Sequence, residues 1–443
     1  MRKKTWIWLV IIILLAGCLR FYQVGNESLW YDEGYTLETI SKDNQGMWDM
    51  LRQRDNTPPL YYFSLKYWCS KFGFTEFGMR SFSAVFGILS ILLIFLIGKN
   101  LFNEERGLFI SILMAVELSQ IMISQEARVY CFFIFTILLA SYFFIKAKDN
   151  SWYWTGYFIS AFLMLNTHFF SIFIMAIHTM FYLWYHTSFK IKMITFIEIL
   201  GGLFIVTAPF YVVYTPILNN IINFFSEQYP LFGINALLIV MPIAGIILLI
   251  IFLLGKDFFE SIVTNLHLFS LIGAGILLTY PLLLGYLVAT PSFYIRYTIW
   301  LYPLLYIYLG MNIWRFKGGK YLLTVFVVIV LSSSFLFYYN IDNKEQWKDA
   351  VRYIDDGVVL VIDGDAKPIF NYYYRGDNKV VFIRSEPMPE GYVLKGIQDY
   401  EYLYLVLSHN YWDEGYWKLA FNQFPIIKQY QFKGVEVIKY DIR

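Results

Sequence analysis

Charge is what this chain has least of. Of its 443 residues only 15% are Asp, Glu, Lys or Arg, against 58% hydrophobic and 21% aromatic. A soluble globular domain carries about 25% charged and about 45–50% apolar residues, so a water-soluble fold is excluded for most of this length. The formal net charge of +2 is too small to attract nucleic acid, and no nucleic-acid partner is expected. Cysteine is scarce as well: Cys18, Cys69 and Cys131 lie in or near apolar stretches without metal or disulfide spacing and read as packing residues. Internal repeats and low-complexity tracts are missing too.

Long apolar runs take the place of charge. A helix needs about 20 apolar residues to cross a bilayer, and roughly eleven such spans are expected, at 5–24, 81–98, 107–124, 129–146, 152–168, 169–187, 194–214, 234–255, 266–289, 297–314 and 321–339. Lys and Arg concentrate in cytoplasmic loops. With "MRKK" inside, the alternate loops "KNLFNEER", "KAKDN", "FKIK", "GKDFFE" and "RFKGGK" all carry them. The pattern predicts a multi-pass protein of the cell membrane with a cytoplasmic N-terminus and an external tail. "LAGC", ending at Cys18, looks like a lipoprotein cleavage box. The apolar segment runs on through "LRFYQV" and ten further spans follow, so the first helix is expected to stay uncleaved.

Two portions follow: a transmembrane part, 1–340, and an external α/β part, 341–443. Between the first two spans lies an external loop, 25–80, far longer than the others, and long loops are usually functional. "DNQGMWDMLRQR" places Met47, Met50 and Leu51 on one helical face, and "PPLYYFSLKYWCSKFGF" is aromatic on nearly every turn, as suits helices lying at the membrane interface. In the tail, "KEQWKDAVRYIDD" reads as an amphipathic helix, and "VVLVIDGD", "KVVFIR", "YLYLVLSHN" and "GVEVIKYDI" read as strands.

Four charged clusters gather on the external side. They are Asp32–Glu33 in "SLWYDEGYT"; Arg54 and Asp55 before the double proline of "RDNTPPLYY"; Gln125, Glu126, Arg128 and Tyr130 in "SQEARVY"; and Arg296 and Tyr297 in "SFYIRYTIWLYP". Arginine near the membrane is costly unless it meets an anion, and its planar fork suits phosphate. Acids plus arginines at the outer leaflet point to a phosphate-headed lipid with a carboxylate beside its reacting carbon. Glycosyl transfer fits. A carboxylate takes the proton of an acceptor hydroxyl as it attacks the anomeric carbon of a polyprenyl-phosphate sugar. Carboxylates steady the charge developing on the ring, and cations steady the leaving phosphate. Asp32 is the expected base, with Glu33 positioning or substituting for it.

In order along the chain, "LRFYQVGNESLWYDEGYT", "RDNTPPLYYFSLKYW", "MRSFSAVFGIL", "SQEARVYCFFIF" and "FYIRYTIWLYP" resemble the membrane glycosyltransferases of the GT-C superfamily. The likeness is to the branch holding bacterial protein O-mannosyltransferase-like enzymes and lipid A aminoarabinose transferases. The resemblance implies an inverting glycosyltransferase of about 11 transmembrane helices with a polyprenyl-phosphate-linked sugar as donor. Transfer would occur on the extracytoplasmic face, to a cell-envelope glycan, a lipid or a protein. Carried over by motif, Asp32, Glu33 and Asp55 are catalytic acids, and Arg128, Tyr130, Arg296 and Tyr297 bind substrate, with Glu126 and His168 added from their positions in the sequence. Many relatives carry His before the double proline, where this chain has Thr57, so no metal residue is assigned, although a divalent ion is compatible with the scheme.

Blander readings stand beside these. Asp32, Glu33 and Asp55 taken alone also fit solvated loop or cap residues, and Arg128 and Arg296 fit interfacial side chains reaching for water. Glu117 is either a buried, hydrogen-bonded acid or a substrate contact. His168 fits a packed interfacial aromatic, and His178 and His267 read as structural. Pro209, Pro242, Pro281 and Pro303 read as kinks. The rival functions are a transporter or lipid flippase, weakened by charges gathered at one face without a repeat, and a non-catalytic assembly protein.

Overall fold

The computed structural model describes residues 2–54, 57–185, 299–312, 321, 338–339, 344–362, 366–383, 400–408 and 414–443. The expected spans 194–214, 234–255 and 266–289, and nearly all of 321–339, lie outside them. Three described helices are long and apolar enough to cross a membrane: α1 (Lys3–Phe21), α5 (Glu76–Leu101) and α8 (Tyr130–Ala147). A fourth crossing is made if the bent pair α6 (Glu104–Val116) and α7 (Leu118–Ser124) is counted as one. Further apolar helices α9 (Tyr153–Leu165), α10 (Ser171–Tyr185) and α11 (Tyr302–Asn312) fall on three more of the expected segments.

Caps set several boundaries. The hydroxyl of Thr75 accepts the Gly78 N–H at the start of α5, and the Asn103 side chain accepts from Arg106 at the start of α6. Arg2 and Thr5 at the head of α1 both reach Glu104 at the head of α6, at 3.3 and 2.6 Å. These two helices therefore begin at the same end of the bundle.

The expected span at 107–124 is not continuous. It bends by 62° at Glu117, whose backbone is extended and whose carboxylate caps α7, accepting from Ser119 N at 3.1 Å and Gln120 N at 2.9 Å. On the other side of the break, the buried Arg20 guanidinium donates to Ala115 O at 2.9 Å and Met114 O at 3.1 Å. Backbone groups freed inside a bilayer must find partners within the protein, and this break has been given one ionic side chain for each sort of orphan.

The connection between α1 and α5 holds α2 (Tyr31–Ser41), α3 (Asn44–Arg54) and α4 (Leu60–Phe72). The two helices expected there, α3 and α4, are present, and Met47, Met50 and Leu51 are buried as their spacing predicts. Helix α2 is an addition to that expectation. It starts on the acid pair itself.

Beyond residue 344 come α12 (Trp347–Ala350), β1 (Val358–Ile362), α13 (Lys367–Tyr373), β2 (Val380–Ile383), β3 (Tyr402–Ser408), α14 (Glu414–Ala420), β4 (Ile426–Phe432) and β5 (Val435–Asp441). They form one sheet of order β2-β1-β3-β5-β4, parallel among the first three strands and antiparallel among the last three. The expected strands correspond to β1, β2, β3 and β5; β4 is not among them. Its residues are largely exposed at the sheet edge, so it shows no buried alternation. The hairpin into β5 turns at Gly434, whose φ of +70° favours glycine.

One face of the sheet is covered by Trp417 and Phe421. The other shares a hydrophobic core with the first loop, in which Val359, Val361, Tyr404 and Val437 join Ile369 and Phe370 of α13, Trp347, and Leu37, Met47, Leu51 and Tyr61. Helices α2 and α13 approach so closely that a Cβ at Gly34 would lie 2.8 Å from Ile369 Cβ. The loop that carries the acid pair is thus packed between the bundle and the sheet.

Candidate active site

Adjacent in sequence, Asp32 and Glu33 go to different environments because successive helix positions point about 100° apart. Glu33 turns inward and is fully buried. Its carboxylate reaches back to the Trp30 N–H at 3.3 Å, as the third residue of a helix often does. It also accepts from Ala127 N at 2.8 Å and from Arg80 Nε at 2.8 Å and Nη2 at 2.6 Å. Lys344 Nζ stands 3.7 Å away. Burial alone would raise the Glu33 pKa, but Arg80 and Lys344, with the hydrogen bonds, hold it down to about 2.

Arg80, in the first turns of α5, has all five N–H donors occupied. Besides its two bonds to Glu33 it donates to Val24 O, Glu27 O and Ser28 O at 3.1, 2.8 and 2.7 Å. One guanidinium therefore shapes the turn leading into α2 and clamps the helix that follows. A fork of this kind is not replaceable by lysine.

Asp32 keeps its carboxylate partly in the open, its side chain 30% exposed, with Arg128 Nε 3.7 Å from Oδ2. The same Arg128 donates through Nη1 to Asp32 O and Thr36 Oγ1, both at 3.2 Å. A partly exposed carboxylate thus lies beside a guanidinium whose orientation is fixed by the helix it serves. Such an arrangement can take a proton and hold an anion within one site.

Arg128 belongs to the connection between α7 and α8, and Tyr130 is the first residue of α8. The Tyr130 ring lies 6.3 Å from that of His168. His168 is buried, stacked on Phe133 at 4.7 Å and Phe169 at 4.6 Å, and its Nδ1 accepts the Phe170 N–H. This matches the packed aromatic reading. The double-proline element is fixed nearby by Leu60 N–H donating to Asn166 O at 3.1 Å. Glu126 is buried in the same connection as Arg128. Asp55, Arg296 and Tyr297 lie outside the described residues; Trp300, just beyond, packs on Phe170 at 5.4 Å.

Glu117 proves to be a helix cap, and Tyr306 donates to its carboxylate at 3.3 Å. Sequence reasoning missed Arg80 and Lys344. Arg80 had a signal: an arginine entering an apolar span requires an anion, and the acid pair was at hand. Lys344 had none, since a lysine among the tail's charges resembles any solvated one. Among the described residues, no three His, Cys, Asp or Glu side chains gather as a metal site would require.

The fold that holds this site is known from solved structures. The chain is similar to ArnT from Cupriavidus metallidurans bound to undecaprenyl phosphate, with 12% identity over 99% of this chain and 98% of that one and a TM-score of 0.60. It is also similar to the Archaeoglobus fulgidus oligosaccharyltransferase in the apo form, with 12% identity over 98% of this chain and 74% of that one and a TM-score of 0.54. The chain accordingly shares the fold of these two proteins. In sequence, residues 56–214 match the dolichyl-phosphate-mannose-protein mannosyltransferase family. No curated protein matches the chain.

Proposed function

We propose that this protein is an inverting glycosyltransferase that moves a sugar from a polyprenyl-phosphate donor to an acceptor hydroxyl on the extracytoplasmic face of the cell membrane. The observation that carries the reading is the division of the acid pair, with Glu33 locked by Arg80 and Asp32 left partly open beside Arg128. Asp32 takes the proton of the acceptor hydroxyl. The hydroxyl oxygen bonds to the anomeric carbon from the side opposite the phosphate, the bond from that carbon to the phosphate oxygen breaks, and the lipid phosphate departs with the electron pair. Arg128, together with Arg296, receives the phosphate charge. Glu33 positions Asp32, Asp55 is a second acid of the site, Tyr130, Tyr297 and Glu126 line the substrates' surroundings, and His168 packs behind Tyr130. The reading places the N-terminus in the cytoplasm and residues 341–443 outside, with a glycan, lipid or protein as acceptor.

The test is consumption of undecaprenyl-phosphate-linked mannose or aminoarabinose by purified protein in detergent, where no gradient exists. Release of undecaprenyl phosphate is expected. Movement of the lipid across vesicle membranes with no cleavage would favour the flippase reading instead. Asp32→Asn should lower turnover by about 10²–10⁴-fold, the usual contribution of a general base, while undecaprenyl phosphate still binds. Turnover within about threefold of the parent would be far below that contribution and would remove Asp32 from the role.

A further inference from the structure

Lys344 is buried at the start of the segment that leads into the C-terminal sheet, and its ammonium enters the acid-pair site from there. It donates to Gln125 O at 2.6 Å and stands 3.7 Å from Glu33 Oε1. That same Glu33 oxygen accepts the Ala127 N–H. Lys344, Glu33 and the 125–127 backbone therefore close a small ring. The residue after Glu33's partner Ala127 is Arg128, and the residue before Glu33 is Asp32. Meanwhile the Gln125 side-chain amide donates to Leu19 O, Arg20 O and Tyr22 O at 3.3, 3.2 and 2.8 Å, fastening the same strip of chain to the end of α1.

Arg80 alone neutralises Glu33 with two direct bonds. A second buried cation is therefore not required to satisfy that carboxylate, and burying an ammonium is costly unless it is well paired. What Lys344 adds is a link between the two chain segments that hold the open half of the site. We propose that Lys344 is a positioning residue, which by bridging Glu33 and the Gln125 carbonyl sets Asp32 against Arg128 and ties that geometry to the seating of the C-terminal sheet. The proposal deepens the glycosyltransferase reading and rests on it for its functional consequence, though not for the clamp itself.

The groups acting on Lys344 are Arg80 from α5, Glu33 from α2, Glu126 from the α7–α8 connection and Glu27 from the turn after α1. Burial and Arg80 bring its pKa down to about 8, against the opposing pull of the three carboxylates. Lys344 therefore holds its proton less tightly with the clamp closed than open, where it regains its ordinary value of 10.5, so raising the pH through 8 favours the closed form; arginine in its place would keep its charge and show no such dependence.

The experiment compares full-length parent, Lys344→Met and Lys344→Arg in lipid nanodiscs at pH 7 and pH 9. Hydrogen exchange of the 31–41 amides, corrected for intrinsic pH dependence, reads the clamp. Binding of undecaprenyl phosphate reads the site. Exchange in the parent, which follows local opening, should slow by about tenfold between the two pH values, because opening takes up a proton that becomes scarcer. Lys344→Met should be fast at both, and Lys344→Arg should stay slow at both. Undecaprenyl phosphate affinity should follow the same pattern. Equal protection of α2 in Lys344→Met and parent, or the same alkaline gain in Lys344→Arg as in the parent, overturns the clamp. If exchange behaves as expected and no variant binds undecaprenyl phosphate, the clamp stands and the glycosyltransferase reading falls.

Discussion

Two places in this molecule bury charge, and they use it differently. At the break between α6 and α7, Arg20 and Glu117 each answer backbone groups: Arg20 takes two freed carbonyls, and Glu117 takes two freed N–H groups. At the acid pair, Glu33 and Arg80 meet directly at 2.6 Å, and the surplus donors reach out to neighbouring segments. The first arrangement repairs a helix that the bilayer would otherwise not tolerate. The second joins the turn after α1, the head of α2, the α7–α8 connection and the start of the C-terminal segment at one point. A bend needs its atoms satisfied. A site needs its segments held in fixed relation, so that one carboxylate can be left open while its neighbour is enclosed.

The largest expected effect breaks the second arrangement. Glu33→Gln or Arg80→Met leaves an uncompensated buried charge, which costs about 3–5 kcal/mol. In the double variant much of that loss should be recovered, giving a coupling energy near the upper end of the roughly 0.5–3 kcal/mol found for contacting residues. The matching cycle at the bend, Arg20→Met with Glu117→Gln, should be nearly additive, with coupling below about 1 kcal/mol. Unfolding in mixed micelles measures both cycles. Equal couplings would erase the distinction drawn between the two places.

Acid should separate them next. Glu33 titrates at about 2 in the fold against an ordinary value of 4.5. A depressed carboxylate stabilises the fold fully above its unfolded pKa and loses that contribution as pH falls toward the folded value. The gap corresponds to roughly 3 kcal/mol, lost progressively between pH 4.5 and 2. Glu33→Gln should flatten that part of the stability profile, and an unchanged slope would deny Glu33 its share of it.

How much of this was legible beforehand depends on the distance over which the cause acts. The helices α1, α5 and α8 follow from local apolar runs, and α3 follows from the spacing of Met47, Met50 and Leu51. Helix α2 does not, because "YDEGYTLETIS" carries an internal glycine and three β-branched residues, all weak helix formers. It is made by its surroundings: Gly34 admits Ile369, Glu33 is clamped by Arg80, and the Thr36 and Thr39 hydroxyls donate back to Asp32 O and Tyr35 O. The motif residues Asp32 and Arg128 were named from the sequence, and the structure brings them within 3.7 Å. The unequal fates of Asp32 and Glu33 were not legible, because the partners that decide them lie 47 residues away at Arg80 and far down the chain at Lys344. The bend was hidden for the opposite reason. A single acid in an apolar run gives no sign whether it faces a ligand or its own backbone.

The smallest effect concerns that acid. Glu117→Gln keeps a side-chain oxygen able to accept from Ser119 N or Gln120 N, so only part of the cap is lost, at about 1 kcal/mol. Arg20→Met should cost more, about 1–3 kcal/mol, since the carbonyls of Met114 and Ala115 lose their donor in a place water does not reach. Neither change touches Asp32 or Arg128. Turnover per folded molecule should therefore remain within about twofold of the parent in Glu117→Gln, well below the 10²-fold that marks loss of an acid–base residue. A loss of that larger size with folding intact would mean that Glu117 contacts substrate, and that the bend belongs to the site rather than to the scaffold beneath it.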